Sequence, residues 1–215
     1  MKNKLITGTI LNPQSDERCD FFPEGAMSLR EKDGQWFVEN IGELSDFNQE
    51  EYEVIDAKGK LIMPAFFDVH FHWVQDDVRE MPKDQLLEWL DKYTFPSERK
   101  FEDKEYSKEK SQSFFKRLAS TGTLGGAIYS SIHEHALRDA QEKVIGEFAI
   151  GNVQMTMNSP DFLTQSKEEA IELSNKLSRE YLGTLKLAKE NRRHHLCNLN
   201  QSNLSKKGAY LWTLE

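Results

Sequence analysis

Residues 63–72 read Met63-Pro64-Ala65-Phe66-Phe67-Asp68-Val69-His70-Phe71-His72, an apolar run whose second half carries a carboxylate and two imidazoles at every second position. Alternate side chains of a β-strand share a face. Asp68, His70 and His72 are therefore expected to point one way and Phe67, Val69 and Phe71 the other. The apolar set can pack on helices, which leaves both imidazoles on the opposite side of the sheet. Two His at i and i+2 can present ring nitrogens to one metal ion, and neutral imidazole is a common ligand of zinc and iron. The same spacing also fits an ordinary strand with one solvated polar face, so spacing alone leaves both readings open.

Downstream of Pro64, helix-length segments alternate with short apolar runs, the pattern of βα units and a parallel sheet. Gln85 to Tyr93 carries Leu86, Leu87, Trp89 and Leu90 at helical spacing and is expected to stop before Pro96. Glu105 to Ala119 reads as a helix with Gly122 just beyond its end. Ala127 to Ile132 reads as a strand and Phe148 to Met157 as another. Between them His135 to Ile145 forms a helix with Ala136, Leu137, Ala140 and Val144 inward. Ser166-Lys167-Glu168-Glu169 is a capping box, opening a helix with Ile171, Leu173, Leu177 and Tyr181 on one face.

Upstream, residues 1–63 read as strands. Leu5 to Leu11 stops at Asn12-Pro13, and Asp33-Gly34 separates Ala26–Arg30 from Gln35–Glu39 as a two-residue hairpin, because that pair accepts the positive φ such a turn demands. Tyr52 to Ile55 turns at Lys58-Gly59 into Lys60–Met63. The expectation is a small antiparallel β unit, residues 1–63, followed by βα units over residues 64–183. Residues 184–215 differ in kind: they carry six Lys and Arg against two Glu, and are expected to be a divergent basic tail outside the fold.

Composition narrows the function. The chain has 215 residues, 28 basic and 36 acidic side chains and a net charge of −8. Nucleic-acid binding through phosphates needs clustered Lys and Arg, and no basic stripe is present. No run approaches the roughly 20 apolar residues of a membrane span. Cys19 and Cys197 lie far apart without metal or redox spacing, so the chain reads as reduced, intracellular and cytoplasmic. A complete eight-fold barrel of about 250 residues exceeds this length.

The run Leu61 to His72 resembles the first barrel strand of the amidohydrolase superfamily, whose pattern is P-G-[FL]-[IV]-D-x-H-x-H after a β-sandwich segment. Within it the chain is similar to the guanine deaminases. The runs that carry this are Gln75 three residues after His72, Leu86-Leu87-Glu88-Trp89-Leu90, Lys92-Tyr93-Thr94-Phe95-Pro96-Ser97-Glu98-Arg99, Gly122-Thr123, and Gly151-Asn152-Val153-Gln154-Met155 leading into Asn158-Ser159-Pro160-Asp161-Phe162-Leu163. The resemblance implies a partial (β/α) barrel, its first few βα units preceded by a small antiparallel β-sandwich segment. It implies a zinc hydrolase, with iron as the alternative metal, that deaminates guanine to xanthine and ammonia in purine catabolism, and a family that commonly dimerises.

By position His70 and His72 match the first two metal ligands. His72, Trp73, Val74 and Gln75 match the substrate loop, with Gln75 the amide that hydrogen-bonds the purine. Trp89 matches a position near the pocket, although a core aromatic on an amphipathic helix is an equal reading. Asp68 reads as a structural partner. Ala65 replaces the usual Gly, Leu124-Gly125-Gly126 the usual Thr-Thr-Ala, and Thr156 the usual Asp. The further His ligands and the His-x-x-Glu acid/base element that the family places after Gly183 are not found, so the resemblance implies a truncated chain. His194-His195 with Cys197 reads as part of a solvated tail. Two alternatives follow: another amidohydrolase acting on a ring amine or halide, or a catalytically inactive fragment.

Overall fold

A computed structural model of the chain describes residues 3–82, 84–188 and 211–213. One compact unit holds the chain up to Ala65 and a second begins at Phe66. The first is a five-stranded sheet built from β1 (Lys4–Pro13), β2 (Cys19–Lys32), β3 (Gln35–Glu43), β4 (Glu53–Pro64) and β8 (Leu211–Thr213), in the order β3-β2-β1-β4-β8. The Asp33-Gly34 turn forms as expected, with φ of 54° and 75°, and sets Lys32 opposite Gln35. Ile6, Ile10, Met27, Ala57 and Ile62 fill the core of this unit.

The structure departs from expectation in three places. The sheet is mixed, because β4 runs parallel to β1. After β3 the chain crosses through two short 3₁₀ turns, Leu44–Asp46 and Gln49–Glu51, and reaches the side of β1 not taken by β2. The two strands expected on either side of Lys58-Gly59 are one strand with a bulge: Thr7 pairs with Asp56 and Thr9 with Leu61, and Gly59 takes the positive φ of 80° that the excursion needs. Leu211–Thr213, within the segment expected to lie outside the fold, pairs antiparallel with β4 through Ile62 and Pro64. Its Leu-Trp-Thr sequence has the aromatic and β-branched character that suits a strand.

The second unit holds a three-stranded parallel sheet, β5 (Phe66–His72), β6 (Thr123–Tyr129) and β7 (Glu147–Gly151), in that order. Helix α3 (Lys104–Ser120) follows β5 and α4 (Glu134–Lys143) follows β6; α5 (Lys167–Ala188) follows β7. Asp103 caps α3 by accepting from the backbone N–H of Glu105 at 2.8 Å and Tyr106 at 3.1 Å. The capping box of α5 closes in both directions, Glu169 N–H to Ser166 Oγ at 3.1 Å and Ser166 N–H to Glu169 Oε2 at 2.8 Å. Phe115, Ile128, Leu137, Ala140, Phe148 and Leu177 form the centre of the core, and each large apolar side chain buried in this way contributes about 1.5–3 kcal/mol.

Boundaries differ where local chemistry overrides the pattern. Strand β6 begins at Thr123, four residues before the expected start, because Gly125 and Gly126 permit close approach to β5. Strand β7 ends at Gly151 rather than Met157. On α5 the buried positions are Ala170 and Leu177 with Leu173 beside them, an i, i+3, i+7 stripe that leaves Ile171 exposed; Tyr181's side chain lies outside the described residues. The helix expected to stop before Pro96 continues through it. Helix α1 (Leu86–Trp89) widens into a π turn over Leu90–Thr94 and resumes as α2 (Phe95–Arg99). A proline ring clashes with the carbonyl four residues earlier, and the wider turn relieves that contact. Among the described residues no helix is long and apolar enough to cross a membrane.

Candidate metal and ligand site

Strand β5 carries the site, and its pairing with β6 is not regular. Phe66 lies opposite Thr123 and Phe67 opposite Gly125, so β6 has one extra residue at the start. Asp68 lies opposite Gly126 and Phe71 opposite Ile128, so β5 has one extra residue in the middle. The two shifts cancel, and His72 ends opposite Tyr129. At the second shift Asp68 Oδ1 accepts the backbone N–H of His70 at 3.1 Å. Asp68 is thus a structural partner that satisfies a donor the bulge takes out of the ladder.

The two faces separate much as the alternation implies. The rings of His70 and His72 lie 5.5 Å apart and both stack on Tyr129, at 4.4 and 5.1 Å between centroids. On the other face Phe71 packs against Phe114 of α3 and Phe148 of β7, each at 6.0 Å. The expectation that the whole apolar set would be covered is corrected for Phe67 and Val69, which remain 54% and 67% exposed on the outermost strand. Gly126 is at the closest approach of the two strands: with φ of 142°, a Cβ there would sit 1.7 Å from the Asp68 carbonyl oxygen. Burial, with help from the neighbouring His70, lowers the pKa of His72, which keeps its imidazole neutral and able to coordinate.

After His72 the chain enters a 3₁₀ segment, Trp73–Val78. Trp73 and Val74 are buried there. The Trp73 indole donates to Ser130 Oγ at 3.0 Å and meets Phe101 edge-on at 4.9 Å, so it ties the end of β5 to the end of β6 and to the core. Gln75 is half-buried, and its Nε2 donates to Glu98 Oε1 at 2.8 Å. Glu98 comes from α2 and is itself buried; burial raises its carboxyl pKa, and the Gln75 hydrogen bond offsets part of that rise. Trp89 sits half-buried at the end of α1. The 3₁₀ segment is latched to α3 by Asp76 with Arg117 and by Asp77 with Lys110 and Tyr106.

The structure therefore brings His70 and His72 together and links Gln75 to Glu98, while Trp73 and Val74 support the loop from beneath. Tyr129 and Glu98 were given no role by sequence. No local signal marks them: Tyr129 lies inside the expected strand Ala127 to Ile132, and Glu98 is one of several acids on either side of Pro96. His133-Glu134-His135 opens α4, with Glu134 bridging Arg138 at 3.3 Å and Lys176 of α5 at 2.7 Å. As a test of metal fit, His70 and His72 offer the right donor chemistry, but among the described residues no group of three His, Cys, Asp or Glu could hold an ion. His194, His195 and Cys197 lie outside the described residues.

A parallel sheet with helices between its strands and an H-x-H pair at the end of its first strand defines a class. The chain belongs to the amidohydrolase family, which it matches over residues 61–193. It is 34% identical to the guanine deaminase of Escherichia coli over 80% of this chain and 40% of that protein. It is 31% identical to the guanine deaminase of Dictyostelium discoideum over 78% of this chain and 41% of that protein. The solved structure of E. coli guanine deaminase superposes with a TM-score of 0.70 at 30% identity, over 84% of this chain and 44% of that one. The chain thus spans about 40% of the length of the curated relatives it matches.

Proposed function

We propose that this chain carries the opening part of a zinc-dependent guanine aminohydrolase, which converts guanine to xanthine and ammonia in cytoplasmic purine catabolism and works as a homodimer. The observation that carries the reading is the His70–His72 pair stacked on Tyr129, at the end of the first strand of a parallel sheet, in a chain homologous to guanine deaminases. In this reading residues 1–63 are a β segment forming one layer of a sandwich, 64–183 are the first βα units of the barrel, and 184–215 are a tail divergent in sequence, of which Leu211–Thr213 joins the sheet of the first unit. A zinc ion would be held by His70 and His72 and would supply an activated water near neutral pH. His72, with its lowered pKa, is a ready ligand, Gln75 meets the purine edge, and Trp89 flanks the ring. Trp73 and Val74 hold that loop in place.

A second reading rests on one observation. Among the described residues no third ligand joins His70 and His72, short of the three protein ligands usual in catalytic zinc sites. On that reading the chain by itself binds metal weakly and does not turn guanine over. The two are separated by incubating the purified chain with guanine and zinc and following xanthine and ammonia. Turnover establishes the first and ends the second. No turnover, with substoichiometric zinc by metal analysis, assigns the chain to the second.

A further inference from the structure

The stretch Thr94 to Glu98 buries three polar side chains within five residues: Thr94, Ser97 and Glu98. Among the described residues the hydroxyls of Thr94 and Ser97 have no hydrogen-bond partner. Glu98 is 2% exposed, and among the described residues its carboxyl meets no cation; its partner is the amide of Gln75. Burying a carboxylate without a counter-charge is unfavourable unless its hydrogen bonds repay it. An apolar residue would meet the packing needs of that position at less cost, so the contact that gives the acid a use is the one with Gln75.

A primary amide has a donor end and an acceptor end, and an ionised carboxylate can only accept. With Nε2 turned to Glu98 at 2.8 Å, the carbonyl oxygen Oε1 is turned away, and among the described residues it has no partner. A glutamine without such a contact presents either end. We propose that Glu98 is a positioning residue that holds the Gln75 amide nitrogen-inward, so that Gln75 offers an incoming heteroaromatic ring an acceptor and selects rings that carry an N–H at that edge. A 6-oxopurine presents N1–H there, whereas a 6-aminopurine presents a bare ring nitrogen that meets the Gln75 oxygen lone pair to lone pair. The ring class rests on the purine reading above; the amide lock rests on the Gln75–Glu98 contact alone.

The test uses the full chain, as wild type, Glu98→Leu and Glu98→Gln, with hypoxanthine and adenine as probes. Side-chain amide signals of Gln75, assigned through Gln75→Leu, are expected to exchange slowly in the wild type and to lose that protection in Glu98→Leu. The ratio of hypoxanthine to adenine affinity is expected to fall about five- to tenfold in Glu98→Leu, the weight of one hydrogen bond. Glu98→Gln keeps an oxygen that can accept but also gains a donor, so it leaves Gln75 free to turn and lowers the ratio by less, with thermal stability at or above wild type. That variant carries the test where Glu98→Leu does not fold. Unchanged protection in the variants overturns the lock. Lost protection with an unchanged affinity ratio overturns the selectivity. Failure of both rings to bind wild type sinks the purine reading and the selectivity with it, while amide exchange still decides the lock.

Discussion

Strand β6 is buried along nearly all of its length, whereas β5, hydrogen-bonded to it, is exposed from Phe66 to His70. The two share a sheet and a length, yet packing holds one and local devices hold the other. Ile128 of β6 lies in the core cluster with Leu137 and Phe148. His70 and His72 of β5 are kept in place by the Asp68 contact at the bulge, the close approach at Gly126 and the face of Tyr129. The strand that stabilises the unit carries neither of the proposed metal-binding histidines, and the strand that carries both adds little burial. Such a division lets the chemical strand be irregular without loss of the core.

Gly126→Val breaks this arrangement most severely. A branched Cβ at 1.7 Å from the Asp68 carbonyl, in a region of φ that such residues avoid, forces β5 and β6 apart. The expected loss exceeds about 4 kcal/mol, read by chemical denaturation. Ile128→Ala removes a fully buried side chain and should cost about 2–5 kcal/mol by the same measurement. A cost below the lower bound would show that β6 is not the packing centre. Tyr129→Leu keeps the bulk and loses the stacking, worth about 0.5–1.5 kcal/mol. Its sharper readout is the NMR shift of the His70 and His72 ring protons, which should lose their upfield displacement.

Acid acts on the same region. Burial lowers the pKa of His72 and of His133, with His70 and His135 respectively adding to the effect. The folded chain then binds fewer protons than the unfolded chain just below the ordinary histidine pKa near 6.5. Their contribution to stability is complete above that pH and is lost as pH falls below it. Denaturation midpoints that rise on going from pH 7 to pH 6 would contradict this. Smallest of all, Val69→Ala should change stability by no more than about 0.5 kcal/mol, since Val69 is 67% exposed.

How much of this was legible in the sequence depends on the range of the forces involved. The Asp33-Gly34 turn, the Ser166–Glu169 box and the inward face of α4 follow from residues a few positions apart, and all three formed as read. The H-x-H pair was visible because strand alternation is a local rule. Sheet order was not: nothing in β4 alone says that it will lie parallel to β1. The compensating bulges depend on two glycines of β6 meeting β5 some 60 residues away in sequence, and the same glycines read in isolation look only like a departure from a family pattern. Tyr129 and Glu98 gain their meaning from partners on other elements, His70, His72 and Gln75, which no local spacing connects. Phe67 and Val69 illustrate the converse, since apolar character predicted cover and strand position denied it.

The π turn over Leu90–Thr94 has a consequence for how this family can vary in length. It accommodates one residue more than an α-helix would in the same rise, and Pro96 sits just beyond it. Deleting one residue of the turn would restore an even helix and leave everything after it in nearly its present rotation around the axis, because the wider turn absorbs the extra residue locally. A deletion between Pro96 and Glu98, in plain α-helix, would instead turn Glu98 by about 100° and carry it off Gln75. Length can therefore vary by one residue within the turn, while just beyond it spacing stores information as firmly as residue identity does.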